Sequence, residues 1–156
     1  MSDLKTNEQS VIFQIRRFIS FYDVYLNLCK SQGNCKYIID YHFSKDNTLI
    51  LLMSCLYSLF DDNNNAQSII RTTFSNPKVE TLRKEILNDW DSIKDPVTKI
   101  RHTIGFHTSP TLKGQRKGVE QFAILDEKPF KLIGRIIDIY ELYSLNCMSN
   151  NTDKTT

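Results

Sequence analysis

The chain has 156 residues, 40% of them hydrophobic and 24% charged, which suits a single soluble domain large enough to bury a core. A formal net charge of +2 excludes a strongly basic protein that coats nucleic acid, yet leaves room for a local basic patch. Five glycines and four prolines leave few tight turns and favour long helices.

Cys29, Cys35, Cys55 and Cys147 are scattered, with no C-x-x-C and no paired Cys/His knuckle, so neither a zinc site nor a disulfide scaffold is expected. Met1 to Gln9 is polar and lacks an apolar targeting core. Leu49 to Phe60 is apolar but falls short of the roughly 20 residues that span a bilayer. The expectation is a cytoplasmic protein with reduced thiols and no membrane contact. The sequence holds no P-loop, no G-x-G-x-x-G and no H-E-x-x-H, so no nucleotide cofactor and no metal are expected.

Between Asn7 and Lys30 the apolar residues Val11, Ile12, Ile15, Phe18, Ile19, Tyr22, Tyr25, Leu26 and Cys29 recur in steps of three and four, the mark of an amphipathic helix. Gly33 is placed to cap its end. Tyr37 to Phe43 reads as a short helix or a helix start. Ser44 or Asp46 then caps a helix over Thr48 to Phe60, apolar around most of its circumference and so expected in the middle of a bundle. His42 lies among aromatics and reads as a half-buried, hydrogen-bonded core histidine.

Asp61 to Asn65 is a polar break, and Ala66 to Phe74 reads as a short helix carrying Arg71. Asn76-Pro77 is a cap followed by a first-turn proline, and Val79, Leu82, Ile86, Leu87, Trp90 and Ile93 continue with helical spacing. Asp95-Pro96 repeats that start and Ser109-Pro110 reads as a stop, which predicts a separate short helix from about Pro96 to about His107. Pro110 to Gly118 reads as a basic loop containing glycine. Pro129 opens a last helix with Leu132, Ile133, Ile136, Ile139 and Tyr140 on its apolar side. No repeat or composition break divides the chain. The fold class is therefore an all-α bundle of five or six helices over residues 1–148, with a polar, frayed tail at 149–156.

Chemistry concentrates in Lys99-Ile100-Arg101-His102-Thr103-Ile104-Gly105-Phe106-His107-Thr108. On one continuous helix Arg101 and His107 would stand about 120° apart around the axis and about 9 Å apart along it. One copy is then a poor bidentate site, and two copies facing across a dimer axis make a better one. Arg101 keeps its charge at any working pH and can pair two phosphate oxygens, while a neutral His107 can accept or give a proton near pH 6.5. A solvated arginine and a helix-end histidine satisfying free carbonyls is the plainer alternative.

An arginine, a polar residue, a few more and then a histidine, late in a helical domain, resembles the signature of the HEPN superfamily. That pattern allows four to six intervening residues, and this chain has five. Leu56-Tyr57-Ser58-Leu59-Phe60-Asp61-Asp62 is similar to the leucine-phenylalanine-aspartate segment of the abortive-infection (type U) branch. Together the two stretches extend the resemblance over roughly Leu49 to Leu145. It implies a helical homodimer with a composite cleft and metal-free cleavage of RNA to a 2′,3′-cyclic phosphate. In that setting Arg101 and His107 carry the chemistry.

The resemblance also implies a role in phage defence or a toxin–antitoxin pair, with an antitoxin or nucleotidyltransferase as partner. His102 occupies the place where the family favours a supporting polar residue, and is the rival proton-transfer group. Asp61 is a candidate to pair with Arg101 or fix an imidazole, although helix-end aspartates are ordinary turn residues. Lys113, Arg116 and Lys117 could grip an RNA backbone beside the cleft. A catalytically silent bundle that binds a nucleotide or partner in the same cleft is the alternative reading.

Overall fold

A computed structural model describes residues 2–31, 38–105 and 111–152, in which five helices and no strand occur. They are α1 (Ser2–Lys30), α2 (Ile38–Leu59), α3 (Pro77–Thr103), α4 (Leu112–Leu125) and α5 (Lys128–Thr152). The all-α bundle expected from the sequence is the architecture found. No helix among the described residues is long and apolar enough to cross a membrane. His107, Ser109-Pro110 and the Gly33 cap lie outside the described residues, as does the side chain of His42.

The hub of the bundle is α3, which packs against α2, α4 and α5. Its buried residues are Val79, Arg83, Ile86, Trp90, Ile93, Val97 and Ile100. These alternate steps of four and three, the seam of a helix that faces partners along its whole length. Asn76 caps its start as expected, its side chain accepting from the amides of Lys78 (2.9 Å) and Val79 (3.4 Å) with Pro77 in the first turn. The expected break at Asp95-Pro96 is absent, because the seam continues from Ile93 to Val97 and Ile100. Pro96 sits inside one 27-residue helix. The locally strong start signal yields to burial on both sides of it.

The expectation that α2 fills the middle of the bundle is also corrected. It packs chiefly against α1 and α3, and Leu51 remains 40% exposed. Nor does α2 restart at Ser44 or Asp46, since it is continuous from Ile38 to Leu59. Phe60, just past its end, stacks on Trp90 at 4.4 Å between centroids and 9° between planes, the tightest ring contact between the two elements. The pairs Ser54–Gly105, Tyr57–Arg101 and Phe60–Trp90 run in opposite senses, so α2 and α3 are antiparallel. Likewise Phe130 meets Tyr22 and Tyr25, while Tyr143 lies near Glu8, so α5 runs antiparallel to α1. The last helix reaches Thr152, further into the polar tail than expected.

Residues 60–76 form turns rather than the helix expected over Ala66 to Phe74. The reason is that their backbone groups are committed elsewhere. The Ile69 amide donates to the Leu59 carbonyl (2.8 Å), and the Phe74 and Ser75 amides donate to Glu80 and Glu8. Arg83 donates to the carbonyls of Ile69 and Ile70 while holding Glu80 at 2.7 Å. Arg71 belongs to the same segment, its Nε donating to the Asp62 carbonyl.

This clamp fixes a pH dependence. The Arg83 hydrogen bond, opposed by burial and helped by the Phe74 amide, holds the Glu80 carboxyl below its ordinary 4.5. The pair therefore stabilises the fold above that value, and the contribution is lost as pH falls through the lowered pKa. Glu80→Gln should lower the melting temperature at neutral pH and flatten its fall below about pH 4.5. A denaturation series across that range measures both.

Candidate functional site at the end of α3

α3 ends in Arg101-His102-Thr103, and its last carbonyls are satisfied locally: the Ile100 oxygen accepts from both Ile104 (3.0 Å) and Gly105 (2.9 Å). The basic residues Arg101 and His102 fall in the final turn, where the negative end of the helix dipole favours them. Arg101 lies against α2, with its guanidinium carbon 4.3 Å from the centre of the Tyr57 ring. That is a cation–π contact on a half-buried aromatic. Its Nε is buried and finds no hydrogen-bond partner among the described residues. Tyr57 meets the His102 ring edge-on at 6.5 Å and the Trp90 ring edge-on at 6.1 Å, so one aromatic side chain ties the Arg101 turn to the core.

Two glycines let the neighbouring helices close on this end. A Cβ at Gly105 would run into the Ser54 hydroxyl of α2 and lie 2.9 Å from the Arg101 Cα. A Cβ at Gly118 would run into the Thr103 hydroxyl and lie 3.1 Å from two carbons of Ile104. In both cases glycine serves close approach; neither takes a left-handed backbone.

Lys113, Arg116 and Lys117 are therefore not on a loop, as expected from the sequence, but in the first turns of α4. The glycines read as turn signals are here helix residues. Thr111 caps that helix, its Oγ1 accepting from the Gly114 amide at 3.1 Å, and Gln121 donates to the Lys117 carbonyl at 3.0 Å. With Gly118 beside Thr103 and α4 packed along α3, the helix runs back along α3 and its basic first turns project past Thr103. All three basic side chains are exposed. The first turn carries no acidic residue to offset them.

Of the residues expected at the site, the structure places Arg101 and His102 together on Tyr57, with the basic turns of α4 next to the end of the helix. Asp61 is elsewhere. Its Oδ1 accepts from the Asn63 amide at 3.0 Å, and its neighbour Asp62 lies 4.0 Å from Lys94, two turns before Arg101 on α3. No ion pair joins Asp61 to Arg101 among the described residues. Asp61 is a turn residue, as its position just past a helix end favours. The residues missed by sequence reasoning are Tyr57, Ser54 and Gly118. Tyr57 stood in an apolar helix among many aromatics, and nothing local set it apart as the seat for an arginine.

Comparisons with family models, with curated proteins and with solved structures find no match to this chain.

The contrast between two glycines tests this placement of α4. Gly118→Val should cost about 1–3 kcal/mol by forcing Thr103 and Ile104 away. Gly134, exposed in α5 with nothing within 4 Å of an added Cβ, should instead gain about 0.5–1 kcal/mol as alanine. Chemical denaturation of the two variants beside the wild type gives both signs.

Proposed function

We propose that the chain is a HEPN-type, metal-independent ribonuclease that cleaves RNA to a 2′,3′-cyclic phosphate. The observation that carries the reading is Arg101, fixed on the Tyr57 ring with a buried Nε that no acceptor satisfies among the described residues, at a helix end beside three exposed cations. A half-buried guanidinium held on an aromatic face beside exposed positive charge suits a phosphodiester, because its outer nitrogens can pair phosphate oxygens and the cations attract the backbone. The resemblance carried by Arg101, His107 and the Leu56–Asp62 stretch supports the same chemistry.

In this reading a base removes the ribose 2′-hydroxyl proton and the 2′-oxygen attacks phosphorus. An acid then protonates the departing 5′-oxygen. His107 is assigned the proton transfer, with His102 as its supporting neighbour, and Arg101 stabilises the phosphorane charge. A homodimer with the two motif segments facing one cleft supplies both proton-transfer groups. A role in phage defence or a toxin–antitoxin pair, with an antitoxin or nucleotidyltransferase as partner, follows from the resemblance.

The test is cleavage of a mixed RNA pool in excess EDTA. Arg101→Ala and His107→Ala should each lower the rate by about 10²-fold or more. Charge removal at Lys113, Arg116 and Lys117 should weaken RNA binding and flatten its dependence on salt. Undiminished cleavage by Arg101→Ala would refute the assignment. A folded wild type that binds nucleotide without cutting RNA would favour the silent binding module.

A further inference from the structure

At the opposite end of α3, 25 residues before Arg101 and about 37 Å away along the helix, a second polar site is built around Glu8. Glu8 is 3% exposed, and its carboxylate accepts from the Ser75 amide at 2.5 Å and the Ser75 hydroxyl at 3.2 Å. Other shielded carboxylates in this fold have a guanidinium: Glu80 has Arg83 at 2.7 Å, and Asp89 has Arg135 at 2.7 Å. Glu8 has no cationic partner among the described residues. A buried charge satisfied only by neutral donors keeps much of its desolvation cost, and a cation placed beside it recovers the most.

Room for that cation is present. Glu8 lines a cavity of about 370 Å³ between the start of α1, the turn before α3 and the end of α5. The remaining wall includes Ser75, Asn76, Tyr143, Asn146 and Cys147, with no lysine, arginine or histidine among the described residues that line it. Burial, Cys147 and Glu8 together push the Tyr143 hydroxyl above its ordinary value, so phenol and carboxylate sense one another and the phenol stays neutral. Among its described residues the wall thus carries one carboxylate and otherwise neutral dipoles, a lining that disfavours anions. The volume exceeds what a bare metal ion fills, and among the described residues no three His, Cys, Asp or Glu side chains gather as ligands.

We propose that this cavity binds a small organic cation, whose ammonium or guanidinium head pairs with the Glu8 carboxylate while its stem lies along Tyr143. Glu8 has two oxygens with about four lone-pair sites, and Ser75 occupies two of them. Cys147, exposed at the wall, reports on occupancy. The site is independent of the ribonuclease reading, since it shares no residue with the Arg101 end.

The experiment uses the full chain with butylammonium, butylguanidinium and butan-1-ol as probes, and follows alkylation of Cys147 by iodoacetamide against that of half-buried Cys29. Both cations should slow Cys147 saturably and butan-1-ol should not. Glu8→Gln, which keeps an acceptor for the Ser75 amide, should weaken the protection by about tenfold or more. Protection by butan-1-ol equal to that by the cations, no protection by any probe, or protection by the cations unchanged in a folded Glu8→Gln chain would each overturn the proposal. The cation-against-alcohol comparison in the unaltered chain decides the matter even where Glu8→Gln fails to fold. Which of the two cations binds more tightly identifies the head group.

Discussion

Val79, Ile86, Trp90, Ile93, Val97 and Ile100 lie on one seam of α3, and the other elements take their positions from it. Full burial of each such side chain contributes about 1.5–3 kcal/mol, so Val97 and Ile100 alone add about 3–6 kcal/mol beyond the proline. That matches or exceeds the roughly 3 kcal/mol by which Pro96 opposes an uninterrupted helix. The one polar member of the seam, Arg83, is tolerated because Glu80 and two loop carbonyls absorb its donors. Through that same guanidinium the seam holds the turns of residues 60–76, which no helix or sheet ladder supports.

The helical class, the core face of α1, the Asn76-Pro77 start and the last helix were legible because periodicity and capping are local signals. Asp95-Pro96 shows where local signals fail. It has the same residue types as Asn76-Pro77, and only the spacing of buried residues across it tells a continuing helix from a new one. The segment from Ala66 to Phe74 failed for the opposite reason. Its own residues permit a helix, but Glu8, Glu80 and Arg83, distant in sequence, take its backbone groups.

The site was legible only in part. Arg101 and His102 stood out by residue type and spacing. Their seat on Tyr57 did not, since a tyrosine beside an arginine emerges only when two antiparallel helices are laid together. Lys113, Arg116 and Lys117 were recognised as a basic cluster but given to a loop, because Gly114 and Gly118 look like punctuation. In space Gly118 is a contact surface for Thr103 and Ile104. Asp61 was drawn toward the site by resemblance, and its carboxylate is occupied within its own turn.

Pro96 divides the hydrogen-bond ladder of α3 in a way its straight seam conceals. Lacking an amide proton, it leaves the Ser92 carbonyl without its usual i+4 donor, so the ladder is interrupted one turn before Arg101. Val97 to Thr103 stay helical past that gap, with Val97 and Ile100 buried in the core and Arg101 seated on Tyr57 of α2. The arginine is thus mounted just past the rung that Pro96 removes, so its position is set by the packing of Val97 and Ile100 and by its seat on Tyr57.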